Sequence, residues 1–514
     1  MRLAAALLAL FGSLRAQEEP ADVVLRGAIL HDGSGREAAA GDLAIRGDTL
    51  VAVGTWTGPA RRTIDARGLV AAPGFIDLHS HSDSSILAPA TRDNLNFALQ
   101  GVTTIVTGNC GGGNVDVARM FETIDREGAG ANVIHLLPHG VIRSRVFGAR
   151  KRPPTAEELE RMKALVEKGL EEGAWGLSTG LIYVPGTYAE TDEIVELARI
   201  VARHGGIYAS HIRDEAGRVL EAVAEAIEIG ERAGCPVHIS HLKCATREAW
   251  GKMADVCARI EEARARGRRV TADQYPYTAS STRLSAYTAP AWALEGGKLA
   301  ERLADPEEGA RLRREIAAAL ERRDSPDRLR IAAYARHPAY NGKSIARIAE
   351  EEGRDPVEVV VEILRQGDAQ AISFSMREED MLLAMKKDYV ATASDGGARR
   401  PSSERPHPRN YGTFPRKIGR YAIEKGEIPL AFAIRSAAGL PAEILGLKDR
   451  GFLRPGFKAD VVLFDPAEFR DRATFEEPDR YATGVRWLFV NGAAVIEDGR
   501  PTGALPGRAL RRNR

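Results

Sequence analysis

Cysteine is scarce: the 514-residue chain holds four, at positions 110, 235, 244 and 257. So few cannot staple a chain of this length, which excludes a disulfide scaffold and leaves each thiol to be judged by its neighbours. Charge of one sign is also lacking, because 72 Lys and Arg meet 71 Asp and Glu, for a net charge of +1. That balance offers no field for gathering nucleic acid or an anionic membrane, so neither is expected as a partner, and a small molecule is. There is no internal repeat and no low-complexity segment. The apolar run within residues 1–16 (MRLAAALLALFGSLRA) is too short to span a bilayer. It follows a basic residue and ends in small residues before QEEP, the pattern of a secretory signal, and it predicts export to the periplasm or beyond.

What is present is 44% hydrophobic and 28% charged residues, enough for one large core and a smaller domain. The organising stretch is residues 73–83, PGFIDLHSHSD. In a strand, side chains at i and i+2 share a face, so Asp77, His79 and His81 project together. Two imidazoles aimed at one point suit a transition metal such as Zn, Ni, Co or Mn.

Short alternating stretches broken by Gly and Asp occupy residues 22–70 and return at 448–500, which predicts a small β-sandwich domain built from both termini. Between them, residues 71–447 alternate apolar strand-like runs with amphipathic helical stretches, the pattern of βα units. The polar residues closing the apolar runs are His81, Cys110, His139, Ser178, His211, His241 and Asp273, at steps of 29, 29, 39, 33, 30 and 32 residues. About 30 residues is one βαβ repeat, so the expected fold is α/β, a metal-dependent (β/α)8 TIM barrel. An eighth strand fits YVATAS, closing on Asp395, 122 residues after Asp273. The excess predicts an insertion at about 283–345, although a further strand-like run, AISFS at 371–375, leaves the strand count ambiguous.

Barrel enzymes place their chemistry where strands end, and His79, His81, His139, His211, His241 and Cys110 all stand at such ends. Cys110 closes its strand in GNCGGG, where glycines let backbone approach closely; a thiolate there suits zinc. Cys244, three residues after His241, is the rival thiol; Cys235 and Cys257 read as packing residues. Asp395 ends the last strand as a carboxylate able to accept a proton from water and return it to a leaving nitrogen.

PGFIDLHSHSD, GVTTIVTGNCG, GLIYVPGTYAETDEI, YASHIRDE, HISHLK, ADQYPYTASST, SDGG, ERPHPRNYGTFPR and RGFLRPGFKADVVLFD together resemble the D-aminoacylase (N-acyl-D-amino-acid deacylase) branch of the amidohydrolase superfamily. The resemblance implies one tightly held Zn2+ on Cys110, His211 and His241, with His79 and His81 forming a weaker second position. It implies that Lys243, Tyr275 and Arg409 bind the substrate carboxylate; Arg213, in HIRDE, is a further candidate. Many superfamily members bridge two metals with a carbamylated lysine from strand four; this chain has Trp175-Gly176-Leu177-Ser178 there and no lysine. The implied activity is zinc-dependent hydrolysis of the linear amide of N-acyl-D-amino acids with Asp395 as catalytic acid and base. A dipeptidase or cyclic amidase of the same superfamily is the alternative reading, and a non-catalytic binding barrel a more distant one.

Overall fold

Eight buried apolar runs close into a parallel barrel. In the computed structural model, which describes residues 19–512, they are Phe75–Asp77, Val102–Thr107, Asn132–His135 continued by Leu137–Pro138, Gly176–Gly180, Ile207–His211, Val237–Ile239, Val270–Gln274 and Val390–Thr392. Each pairs in parallel with its neighbour in that order. The eighth returns to the first through Asp395 N, which donates to His79 O at 2.8 Å, and a Ser80–Gly396 bridge. Strands covered by helices on one side and a filled interior on the other are buried on both faces, and Val102–Thr107 is buried at every position. The crossover helix Val219–Ala233 turns Val223 and Ile227 into the core and stops at Gly234, whose φ of +70° is the left-handed conformation that glycine adopts without strain. No described helix is long and apolar enough to cross a membrane. The secretory signal expected at residues 1–16 lies outside the described residues.

The two ends of the chain meet in one nine-stranded network. Val70–Pro73 from the N-terminal part pairs antiparallel with Val461–Phe464 from the C-terminal part, and Ala21–Leu30 joins both Ala60–Asp65 and Val70–Pro73. The terminal domain expected as a sandwich is thus continuous by hydrogen bonding through Ala21–Leu30. Beyond it, residues 505–512 run back to the barrel: Val133 N donates to Arg508 O at 2.9 Å, Leu510 N to Val133 O at 2.8 Å, and Trp175 Nε1 to Leu510 O at 2.5 Å. The expected boundary at residue 500 missed this tail, which has no periodicity to announce it.

The insertion is longer than the expected 283–345. Ser280–Arg283, Leu329–Ala333 and Gln370–Ser373 form a separate antiparallel sheet with Gln370–Ser373 in the centre. Helices Pro306–Glu321, Ile345–Glu352 and Pro356–Arg365 cover it, and Leu284, Leu312, Ile316, Ile331, Ile345 and Val360 form its own core. AISFS is therefore an insertion strand. A short apolar run has the same pattern in a barrel and in an appended sheet, so periodicity could not separate them.

One buried group opposes the fold. Lys417, in the helix Arg416–Glu424, is 1% exposed, its Nζ has no hydrogen-bond partner among the described residues, and burial alone pulls its pKa down to about 7. An unfolded lysine titrates near 10.4, so between about pH 7 and 10 the unfolded chain binds more protons and stability rises with pH. Lys417→Met is expected to raise Tm at pH 7, with the advantage over wild type shrinking toward pH 10. Melting curves across that range check it; a constant difference would remove Lys417 from the pH dependence.

Candidate active site

Three residues at the strand ends hold backbone conformations that side chains rarely adopt: Cys110 at φ +54°, His241 at +37° and Asp395 at +50°. Such strain persists where the surroundings over-determine it. Around Cys110 the surroundings are glycine and a serine. A Cβ on Gly180 would lie 2.1 Å from Cys110 O, and one on Gly111 would lie 2.9 Å from Gly180 N. The glycines thus let the Cys110 turn rest directly against the fourth strand. Ser178 Oγ donates to Gly108 O and accepts from Gly111 N at 3.0 Å. The fourth strand thus supplies a hydroxyl that ties down the turn presenting Cys110.

Cys110 Sγ lies 3.5 Å from His211 Nδ1, 3.5 Å from His241 Nε2 and 3.2 Å from His79 Nε2. A tetrahedral zinc with bonds of about 2.1 Å to nitrogen and 2.3 Å to sulfur separates the two donors by about 3.6 Å. The Cys110, His211 and His241 set therefore fits such an ion in both donor chemistry and spacing, and among the described residues it is one of three clusters of donor atoms lying within 4.8 Å of one another. The others are His79, His81 and Cys110, and His79, His241 and Asp395, so all five expected ligands converge with the expected catalytic carboxylate. Burial first, then the Asp395 carboxylate, pushes the Cys110 thiol well above its ordinary value, and a bound cation reverses that by stabilising the thiolate.

Two carboxylates orient the rings. Asp273 Oδ2 accepts from His238 Nε2 at 2.9 Å and faces His79 Nδ1 at 3.4 Å, while Oδ1 accepts from His241 N at 2.7 Å. Glu215 Oε1 accepts from Lys243 Nζ at 2.5 Å and lies 3.0 Å from His241 Nδ1. Each carboxylate faces the ring nitrogen remote from Cys110, and this fixes which nitrogen looks into the site. Burial raises both carboxyls, and the neighbouring Lys243 and histidines outweigh it, so both stay below the usual carboxylate range.

Asp395 stands between the rings and the expected carboxylate-binding groups. Its Oδ1 is 3.0 Å from His81 Nε2 and 3.6 Å from His79 Nε2, and its Oδ2 is 2.7 Å from Arg409 Nη1. Burial raises its pKa, and Arg409, His79, His241 and His81 more than offset this, holding it well below the ordinary value. The Tyr275 ring lies between two cations, Arg409 at 4.8 Å and Lys243 at 5.7 Å. Asp395, His81, Arg409, Tyr275 and Lys243 line one cavity of about 1190 Å³. The insertion supplies part of its wall: Ser281 O accepts from Arg409 Nη2 at 3.2 Å, and Thr282 Oγ1 donates to the Tyr183 hydroxyl at 3.1 Å. Tyr183 in turn packs edge-on against His211 at 4.9 Å.

The amidohydrolase family model matches residues 62–496. The chain belongs to the amidohydrolase family. It is 35% identical over 522 residues to D-aminoacylase of Alcaligenes xylosoxydans xylosoxydans, covering 97% of this chain and 99% of that one. Among solved structures, a D-aminoacylase studied for one-metal activation and second-metal attenuation at its binuclear centre superposes with a TM-score of 0.82 at 34% identity. It covers 96% of this chain and 100% of its own. N-acyl-D-glutamate deacylase from Bordetella bronchiseptica, complexed with zinc and a phosphonate inhibitor, gives the same score, identity and coverage. This amidohydrolase shares their whole length, barrel and terminal domain together.

Several strand-end residues have other duties in the amidohydrolase. His139 is fully buried and pairs with Glu193 at 2.8 Å, where Arg143 also binds. Arg213 is tied to Glu225 and to the carbonyls of Thr187 and Ala189, so it braces that loop. Cys244 is a buried core thiol outside the three donor clusters, and all four cysteines are free. Glu215, Asp273, Tyr183 and Ser178 were not singled out as site residues from the sequence. Glu215 and Asp273 lie inside quoted motifs, HIRDE and ADQYPY, but nothing in a one-dimensional pattern says which ring each carboxylate meets. Ser178→Ala would strand the buried Gly111 N–H, a loss of about 1–3 kcal/mol, and loosen the Cys110 turn. We expect weaker metal retention against a competing chelator with the barrel still folded by circular dichroism; unchanged retention would show that the turn holds without Ser178.

Proposed function

We propose that this amidohydrolase hydrolyses the linear amide of N-acyl-D-amino acids, releasing a carboxylic acid and a D-amino acid. The observation that carries this reading is the position of Asp395, in contact with both the histidine cluster and Arg409. A substrate carboxylate held by Arg409, Tyr275 and Lys243 sets its amide beside Asp395, a carboxylate suited to move a proton. The names of the relatives, D-aminoacylase and N-acyl-D-glutamate deacylase, support the D configuration and the N-acyl linkage.

In this reading Cys110, His211 and His241 hold one tight Zn2+, and His79 and His81 offer a weaker second position. The relative described by one-metal activation and second-metal attenuation supports that division. Zinc bound there supplies a Lewis acid for the acyl carbonyl and lowers the pKa of its water to about 7. Asp395 takes the proton of the attacking water and then delivers it to the departing amino-acid nitrogen. Arg409 keeps Asp395 ionised until that first transfer. Lys243, Arg409 and Tyr275 fix the amino-acid carboxylate, a planar acceptor that a guanidinium and an ammonium recognise together. Residues 1–16 support export of the enzyme to the periplasm or beyond.

The test pairs elemental analysis with hydrolysis of matched N-acetyl-D- and N-acetyl-L-amino acids by the purified protein lacking residues 1–16. About one Zn per chain with D-selective release of amino acid is expected; bound Zn with no turnover of either enantiomer would overturn the deacylase reading. Asp395→Asn should retain Zn and lose kcat by about 10²–10⁴, the usual worth of a general acid–base group. Turnover near the wild-type rate would remove Asp395 from that role.

A further inference from the structure

Three polar atoms beside the histidine cluster form a closed triangle. Lys243 Nζ is 2.5 Å from Glu215 Oε1 and 2.8 Å from His241 Nδ1, and Glu215 Oε1 is 3.0 Å from that same Nδ1. The His241 and Lys243 side chains are almost wholly buried and Glu215 is 15% exposed, so water does not readily relieve a mismatch among them. A ring nitrogen either donates its proton or accepts through its lone pair. Two arrangements follow. With Nδ1 bare, it accepts from Lys243 and the proton sits on Nε2. With Nδ1 protonated, it donates to Glu215, and the bare Nε2 faces Cys110 Sγ at 3.5 Å.

Only the second arrangement presents His241 as a ligand, because a metal needs the Nε2 lone pair. In that arrangement Lys243 loses the ring as an acceptor. Its ammonium has three N–H donors, of which one remains on Glu215, and release of the one on the ring leaves two free for the cavity beside Tyr275. We propose that Glu215 is a positioning residue that links metal capture at His241 to capture of the substrate carboxylate by Lys243. By accepting a hydrogen bond from Nδ1–H it aims Nε2 at the ion, and the same N–H displaces Lys243 from the ring. The carboxylate half of this inference rests on the N-acyl amino acid reading above; the metal half stands on the triangle alone.

The experiment uses the purified protein lacking residues 1–16, stripped of metal and titrated with Zn2+ against a chromophoric chelator, alongside steady-state kinetics on N-acetyl-D-amino acids. Glu215→Gln is expected to raise the Zn2+ Kd by about 10–100-fold, the usual effect of losing a group that orients a ligand ring, and to lower kcat/KM at saturating Zn2+. In a Lys243→Met background the effect of Glu215→Gln on Kd should persist while its effect on kcat/KM disappears. Glu215→Asp, which keeps the charge one methylene further back, should fall between wild type and Glu215→Gln and controls for folding through its Tm. A Kd for Glu215→Gln within twofold of wild type overturns the metal half. An undiminished kcat/KM effect in the Lys243→Met background overturns the link. If the wild-type protein turns over no N-acyl-D-amino acid, the functional reading and the link both fall, while the Kd comparison still decides the role of Glu215 at the ring.

Discussion

Three imidazole nitrogens, of His79, His211 and His241, lie within 3.5 Å of one thiol, Cys110 Sγ, and the four residues stand at the ends of four different strands. Directing the ring protons outward turns the lone pairs toward this one point, an arrangement that is repulsive in a buried space unless a cation sits among them. Asp273 and Glu215 do the directing, each facing the ring nitrogen that points away from the thiol. Removing one partner of a buried charged set leaves the other unpaired, at a cost of about 3–5 kcal/mol. The outward carboxylates and the inward cluster therefore stand or fall together.

The barrel makes this convergence affordable in geometric terms. Short parallel strands deliver side chains to a shared rim, and the strand ends then turn sharply: Cys110, His241 and Asp395 all take positive φ. Gly111 and Gly180 remove the Cβ atoms that would keep the Cys110 turn off the fourth strand, and Ser178 bonds the turn in place. The insertion closes the cavity from outside, reaching Arg409 through Ser281 and Tyr183 through Thr282. The terminal domain sits apart from the chemistry, and its role is to join the two ends of the chain through Val70–Pro73 and Val461–Phe464.

Much of this was legible before the fold was known, for a physical reason. Parallel barrel strands are buried on both faces and end in the active site, so an apolar run closed by His, Cys or Asp, repeated at about 30 residues, reports both the strand and its function at once. The missing lysine in strand four was equally readable, and the structure shows a serine there bracing the Cys110 turn. The insertion was read too short because AISFS has the hydrophobicity of a barrel strand yet pairs antiparallel with Ser280–Arg283 and Leu329–Ala333. His139 shared the strand-end position of the expected ligands, but its ring turns to Glu193.

By itself the sequence determined the repeat, the strand ends and the set of side chains able to bind a metal, because these depend on local periodicity and residue chemistry. Tertiary structure alone decided which nitrogen of each imidazole looks inward, which carboxylate serves which ring, and that Lys243 shares Glu215 with His241. Those choices are made by distances of about 3 Å, most of them between residues tens to hundreds apart in the chain, and no spacing along a sequence encodes a hydrogen bond across a barrel.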